Sequence, residues 1–206
     1  ERRLPRAEVK RRAEAALDKI DLTGDEAANT LLIDNPFALL VGMMLDQQVP
    51  METAFAGPAK LRDRLGFMDP GEVAGCNPEK FLEAFRMTPA VHRFPGSMAA
   101  RVQSLAAAVR DEWGGDTSAI WTSGNPDGAE ILRRLQSLPG FGEQKAKIFL
   151  ALLGKQRGLT ASGWREASGH YGEEGSHRSI ADVTDSESLQ LVRDTKKAMK
   201  AAAKGK

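Results

Sequence analysis

Residues 137–150, SLPGFGEQKAKIFL, place one proline and two glycines between two segments with the apolar spacing of helices. Gly140 and Gly142 allow backbone angles and close approaches that a Cβ atom would forbid, so two helices can meet here at a steep angle. The second helix is then expected to start at Gly142. Its first backbone N–H groups lack intrahelical acceptors and lie at the positive end of the helix dipole, which suits a phosphate group.

Two lysines follow this turn at once. Lys145 and Lys147 lie in the first turns of the second helix, close to any phosphate that binds there. A hairpin of this kind holds a DNA backbone without reading its sequence, so the stretch predicts a DNA-binding hairpin. The alternative is a plain turn between antiparallel helices, which is the commoner use of a Pro-Gly break.

Charge is distributed unevenly along the chain. The formal net charge is only +1, so no basic field surrounds the whole protein. Segment 133–157 nevertheless carries the lone acid Glu143 and six basic residues, which are Arg133, Arg134, Lys145, Lys147, Lys155 and Arg157. This local excess favours a nucleic-acid partner at the hairpin, and solvated helix faces are the alternative.

Length and composition are typical of a globular protein with one or two domains: 206 residues, 41% hydrophobic and 28% charged. No segment reaches membrane-spanning length and the N-terminus lacks the apolar core of a signal peptide, so we expect no membrane contact and a cytoplasmic location, associated with the nucleoid. The single cysteine, Cys76, excludes an iron-sulfur cluster held by four thiolates, and the three scattered histidines do not suggest a zinc site. We expect no metal and no cofactor, apart from a monovalent cation that the hairpin could hold.

Helix signals recur along the chain, whereas strand signals are almost absent, which predicts an all-α fold. Asn35 with Pro36, and Asn77 with Pro78, are each a cap followed by a first-turn proline. Pro58 predicts a further helix start.

The segment from 158 to 183 does not follow this helical pattern. It contains five glycines and predicts a long loop. Loops of this length in compact domains tend to be functional or disordered, and this one carries aromatic residues. Trp164 and Tyr171 could therefore line a base pocket, or they could anchor the loop to the core.

Two stretches in the same order resemble a known family. LPGFGEQKAKIFLALLG (138–154) is similar to the hairpin of the helix-hairpin-helix (HhH-GPD) superfamily of base-excision DNA glycosylases, and LLVGMMLDQQV (39–49) to its buried helix ending in a glutamine. The stretches resemble the actinobacterial members of this superfamily in particular. The resemblance implies a two-lobed helical fold with a cleft between the lobes: a six-helix lobe over 36–155, and a second lobe formed by 1–35 and 156–206 that includes the Gly-rich loop.

The resemblance also implies an activity. Enzymes of this family flip a damaged nucleotide out of the duplex, because the glycosidic bond is unreachable while the base is stacked. Gln48 matches the glutamine that fills the vacated gap, although it could instead satisfy a helix end, and Gln47 could exchange roles with it. The implied partner is double-stranded DNA that contains a damaged base, bound by a monomer.

Hydrolysis of this bond requires a carboxylate, which the family supplies from an aspartate at the start of a helix. Here no aspartate lies between Gly142 and Ala181. Asp182 is the first choice because its segment, SIADVTD, resembles that of the family, and Asp185 is the second choice. Asp185 could instead be a first-turn acid of the last helix, for which Thr184 and Glu187 predict a capping box. Acids within the loop are weaker substitutes: Glu166, Glu173 and Glu174.

Members that also cut the strand carry a lysine two residues after the second hairpin glycine. Gln144 occupies that position here, and Lys145 is turned by about 100° around the helix. The resemblance therefore implies a monofunctional glycosylase. A non-catalytic DNA-binding or lesion-recognition protein is the alternative, because the acid is displaced, and a plain helical interaction module is a third interpretation.

Overall fold

The computed structural model describes residues 20–205, and the regular structure within this range is entirely helical. The all-α prediction is confirmed. Residues 1–19, part of the predicted second lobe, lie outside the described residues. The α-helices are α1 (Glu26–Asp34), α2 (Pro36–Leu45), α3 (Met51–Leu65), α4 (Pro70–Gly75), α5 (Pro78–Arg86), α6 (Pro95–Trp113), α7 (Ala119–Thr122), α8 (Gly128–Gln136), α9 (Glu143–Gln156), α10 (Trp164–Ala167) and α11 (Ser186–Lys204).

Helix α2 lies at the centre of the core. Asn35 caps it as predicted, because its side-chain oxygen accepts hydrogen bonds from the N–H groups of Phe37 and Ala38 at 3.0 and 3.1 Å. Every residue from Phe37 to Leu45 is buried. The helix packs on α3 and also contacts α6 and α9. Its last turn therefore lies where the hairpin helix meets the core.

The predicted helix start at Pro58 is wrong. Pro58 is buried inside α3, which is continuous from Met51 to Leu65. The neighbouring Gly57 packs so closely that a Cβ atom there would lie 2.7 Å from a methyl carbon of Leu45. Close packing of α3 on α2 therefore overrides the local preference of proline to end a helix.

The hairpin forms as predicted between α8 and α9. Gly140 has a φ angle of +79°, and a Cβ atom on it would lie 2.8 Å from the terminal methyl of Met44. Phe141 is buried and packs edge-on against Phe149 of α9, with 6.3 Å between the ring centroids. The turn thus needs glycine at residue 140 for both backbone angle and space, and Phe141 fixes it to the core.

Residues 158–183 contain more structure than a loop. They form α10 and two short 3₁₀ helices, Gly169–Gly172 and Ile180–Asp182. A Cβ atom on Gly154 of α9 would lie 2.3 Å from the ring of Trp164, and one on Gly128 of α8 would lie 2.5 Å from its backbone. The segment is therefore packed against both helices of the hairpin.

The lobe boundaries stay a prediction. Residues 36–155 hold six helices of nine residues or more, together with the short helices α4 and α7. The buried side chains of the described part form one hydrophobic cluster that extends from Ile20 to Val192. Within residues 20–205 no single helix is long and apolar enough to cross a membrane, and α1 with α2 reaches that length only across a 114° bend.

Candidate functional site

A polar pocket opens beside the hairpin turn, and we call it the hairpin pocket. Its volume is about 350 Å³, and it is lined by Met43, Asp46, Gln47, Arg101, Gly140, Gln144, Lys145, Ile148 and Lys196. These residues come from the end of α2, from α6, from the hairpin turn, from the start of α9 and from α11. The predicted DNA-binding residues Gly140 and Lys145 are thus brought together. Among the described residues that line this pocket there is none of the predicted catalytic or aromatic residues.

Lys145 extends into the pocket from the first turn of α9. Its Nζ donates a hydrogen bond to the carbonyl of Met44 at 3.1 Å, at the end of α2. Burial lowers the pKa of Lys145; the carboxylate of Asp46 opposes this shift and Arg101 adds to it. The amine therefore ties the hairpin helix to α2 and brings positive charge to the pocket wall.

Asp46 is the acid of the pocket, and the sequence interpretation missed it. It follows the last residue of α2, and its N–H donates to the carbonyl of Met43 at 3.3 Å. Burial raises the pKa of its carboxyl group; Lys196 and Lys145 oppose this shift, and Glu52 adds to it. Within residues 20–205 its carboxylate has neither a hydrogen bond nor an ion pair. The sequence signal that could have identified Asp46 is its position beside two glutamines at the end of an apolar helix.

The two glutamines after Asp46 have different surroundings. Gln47 lines the pocket: its Nε2 donates to the carbonyl of Met44 at 2.8 Å, and its Oε1 accepts from Arg101 at 3.2 Å. Gln48 is exposed and has a φ angle of +58°, in the left-handed region that favours glycine. Gln48 is therefore the glutamine that is free to extend away from the protein.

His92 holds the turn that presents these glutamines, and the sequence interpretation missed this residue as well. The N–H of Phe94 donates to Nδ1 of His92 at 3.0 Å, so the ring hydrogen lies on Nε2. Nε2 then donates to the carbonyls of Leu45 and Gln47 at 3.1 and 2.9 Å. These bonds fix the backbone on both sides of Asp46.

The start of α9 has open hydrogen-bond donors. Gly142 is the N-cap residue and supplies no side-chain cap. Within the described chain, the N–H groups of Glu143, Gln144 and Lys145 have no acceptor. Lys147 pairs with Glu143, with 2.7 Å between Nζ and Oε1, and both side chains lie at the surface. The donors and Lys147 form a surface suited to a phosphate, partly countered by Glu143.

Asp182 lies elsewhere. Its Oδ1 is 2.5 Å from Nζ of Lys155, and its Oδ2 accepts from Ser176 Oγ at 3.0 Å and from the N–H of Arg178 at 2.8 Å. Lys155 is near the end of α9 and Lys145 near its start, ten residues apart, which is about 15 Å along a helix. The structure therefore does not bring Asp182 to the hairpin pocket, and its catalytic role stays a prediction.

The other predicted acids also lie outside this pocket. Asp185 is the N-cap of α11: its side chain accepts from the N–H of Ser188 at 2.7 Å, and the Ser188 hydroxyl accepts from the N–H of Asp185 at 3.0 Å. The predicted capping box of Thr184 and Glu187 is thus wrong by one residue. The loop acids are exposed: Glu166, Glu173 and Glu174.

The two aromatic residues of the predicted base pocket are separated. Trp164 packs between α8 and α9, where its ring faces Gly154. Tyr171 lies near the rim of the hairpin pocket, because its hydroxyl accepts a hydrogen bond from Nε2 of Gln144 at 3.0 Å. Trp164 thus anchors the segment 158–183 to α8 and α9, and Tyr171 positions Gln144 of the hairpin pocket.

Residues 41–204 match the model of a protein family described as HhH-GPD superfamily base excision DNA repair protein. This range covers the second half of α2, the hairpin and all of α11, and so includes all the residues that line the hairpin pocket. No curated protein and no solved structure matches the chain significantly.

Proposed function

Because the chain belongs to the HhH-GPD superfamily of base excision DNA repair proteins, we propose that it is a monofunctional DNA glycosylase. It flips a damaged base out of duplex DNA and hydrolyses the N-glycosidic bond, leaving an abasic site. The observation that carries this proposal is the hairpin pocket, a polar cavity of about 350 Å³ that includes the carboxylate of Asp46, directly beside the hairpin turn. A flipped nucleotide needs such a cavity next to the surface that holds its strand.

The hairpin holds the DNA backbone. One phosphate lies at the first turn of α9, where the N–H groups of Glu143, Gln144 and Lys145 are open, and Lys147 stands beside it. These contacts go to the backbone, so they position the enzyme on damaged and undamaged DNA alike.

Gln48 fills the gap that the flipped base leaves. Its exposed side chain stands on a turn that His92 fixes through the carbonyls of Leu45 and Gln47. A planar amide can stack between the neighbouring bases and form a hydrogen bond with the orphaned partner base.

The reaction ends at hydrolysis. Gln144 stands where bifunctional relatives have their nucleophilic lysine, and it donates to the Tyr171 hydroxyl. Lys145 is the next residue of α9, and its Nζ donates to the Met44 carbonyl. Because burial lowers the pKa of Lys145, its amine is the one to test for Schiff-base formation with the sugar. Borohydride reduction of the reaction mixture should trap no protein–DNA adduct if the enzyme is monofunctional, since only a Schiff base would be reduced to one.

The experiment that tests the proposal uses duplexes with a single uracil, alkylated or oxidised base. Each is incubated with excess protein, and abasic sites are scored by strand cleavage with alkali. We expect abasic sites in at least one duplex, none in the undamaged control, and an intact strand before alkali is added.

One observation favours a second candidate, a lesion-recognition protein without catalysis. Asp182, the acid that the family resemblance indicates, is held by Lys155 and Ser176 away from the hairpin pocket. This alternative predicts tighter binding to a damaged duplex and no abasic sites in any member of the panel.

A further inference from the structure

The proposed glycosylase reaction needs a carboxylate near the sugar of the flipped nucleotide, because positive charge develops on that sugar as the bond breaks. Asp182 does not supply it in this structure. Both of its oxygens are already bound, to Lys155 on one side and to Ser176 and the Arg178 N–H on the other. Freeing this carboxylate would leave the largely buried Lys155 without its partner.

Asp46 differs from Asp182 in its location and in the contacts of its carboxylate. It is the one acid among the described residues that line the hairpin pocket. Its carboxylate forms no hydrogen bond and no ion pair with any part of the chain from 20 to 205. The turn that carries it is fixed, since His92 bonds to the carbonyls of Leu45 and Gln47 on either side. The carboxylate is therefore positioned by the backbone, and residues 20–205 leave both of its oxygens without a bonding partner.

The charges around Asp46 fit a nucleotide. Three cations line the same pocket from three different helices: Arg101 of α6, Lys145 of α9 and Lys196 of α11. Each could meet a phosphate on either side of the flipped sugar, whereas Asp46 is the group that could face a sugar cation. The amides of Gln47 and Gln144 offer hydrogen bonds to a base or to water.

We propose that Asp46 is the catalytic carboxylate of this enzyme, an inference that rests on the proposed glycosylase function. The bond between C1′ and the base nitrogen breaks, and its electron pair moves onto the base. Asp46 stabilises the resulting sugar cation and accepts a proton from the water whose oxygen bonds to C1′. The base takes up one proton from solvent and Asp46 returns one, so one water molecule is consumed in total.

The test uses two duplexes that need no knowledge of the natural lesion. One carries a central pyrrolidine nucleotide, whose ring nitrogen is positively charged like the reacting sugar. The other carries the neutral tetrahydrofuran nucleotide of the same shape. The dissociation constants of wild type, Asp46→Asn and Asp182→Asn are measured for both. We expect wild type to prefer the cationic duplex at least about tenfold, because a transition-state mimic gains the interaction that the substrate lacks.

Asp46→Asn should lose this preference, while its affinity for the neutral duplex stays within about twofold of wild type. Asp182→Asn should keep the preference. Glu52→Gln should keep it as well, because Glu52 is an acid near Asp46 that does not line the pocket. The wild-type preference should also weaken as the pH falls and Asp46 becomes protonated. The charged groups that face Asp46 are Arg101, Lys145, Lys196 and Glu52, and Glu52→Gln tests whether the second acid contributes to the pH dependence.

Three results would overturn the inference: no preference in wild type, a preference that survives in Asp46→Asn, or one that disappears in Asp182→Asn with the fold intact. If Asp46→Asn fails to fold, the pH dependence in wild type decides the question. Failure of the proposed function itself would look different, since it is the absence of abasic sites from the whole lesion panel.

Discussion

Lys155 and Asp182 form a buried ion pair, with 2.5 Å between Nζ and Oδ1 and side chains that are only 12% and 5% exposed. The pair joins the end of the hairpin helix α9 to the last 3₁₀ helix of the segment 158–183. Ser176 and the Arg178 N–H complete the hydrogen bonds of the carboxylate. We infer that Asp182 holds this segment on the hairpin.

Asp182→Ala should therefore destabilise the protein, by about 3–5 kcal/mol, because it leaves a buried lysine without its partner. Urea unfolding measures the change. Glu173→Ala is the control: Glu173 is exposed and pairs with His170 at the surface, so the effect should stay within about 0.5 kcal/mol. A stable Asp182→Ala variant that had lost base excision would instead return Asp182 to the catalytic role.

Gln48 allows stability and function to be separated. Its φ angle of +58° is unfavourable for a residue with a Cβ atom. Gln48→Gly should relieve strain of about 1 kcal/mol and so leave the free energy of unfolding unchanged or slightly higher. The same variant lacks the side chain that we propose fills the gap left by the flipped base. Its excision rate should fall more on paired duplex than on single-stranded DNA.

Gln47→Ala is the matched comparison, because Gln47 lines the pocket and bonds to Arg101 and the Met44 carbonyl. Gln47→Ala should slow excision from paired duplex and from single-stranded DNA alike. Equal slowing by Gln48→Gly on duplex and single strand would indicate that Gln48 has no role in the gap.

Half-buried Lys147 and exposed Glu143 form an ion pair at the start of α9, and their replacement should have opposite effects on DNA binding. Lys147→Gln removes one phosphate contact, so the slope of log affinity against log salt should become shallower by about one. Glu143→Gln removes a negative charge and frees Lys147, so binding should tighten. Both changes should be equal on damaged and undamaged duplexes, and binding titrations at four salt concentrations measure them. A change confined to damaged DNA would contradict a backbone contact.

The ionised carboxylate of Asp46, the proposed catalytic group, should lower the free energy of unfolding. Burial raises the pKa of its carboxyl group in the folded protein, with Glu52 adding to the shift and Lys145 and Lys196 opposing it. A raised folded pKa means that the ionised group destabilises the fold above that pKa and that this cost disappears as the pH falls below the unfolded value. Asp46→Asn should therefore melt at the same temperature as wild type or higher at pH 7, with the difference shrinking in acid. A lower melting temperature at pH 7 would show that the carboxylate has a structural role.

The hairpin was predictable from sequence because its signals are local. A proline and two glycines determine the turn, and Gly140 indeed has a left-handed φ angle of +79°. The cap at Asn35 is equally local. Pro58 and the capping box at Thr184 were mispredicted for different reasons. Close packing of the neighbouring Gly57 against Leu45 keeps α3 continuous through the proline, and Asp185, one position after Thr184, is the residue that caps α11.

The hairpin pocket was not predictable in the same way. Its walls come from residues far apart in the chain, such as Asp46, Arg101 and Lys196, and no local pattern brings them together. Asp46 by itself resembles any acid at a helix end. Asp182 was chosen because its neighbours resemble a family segment, and its ion pair with Lys155 depends on the fold of the whole segment 158–183.

Single-turnover base release by wild type on the panel of uracil, alkylated and oxidised duplexes is the most direct test of glycosylase activity. We predict that at least one duplex yields free base and an alkali-sensitive abasic site, with the strand intact before alkali. Asp46→Asn should slow that conversion by about a hundredfold or more while still binding the duplex. If wild type binds these duplexes and releases no base from any of them, the chain is not a glycosylase for these lesions and the central claim is contradicted.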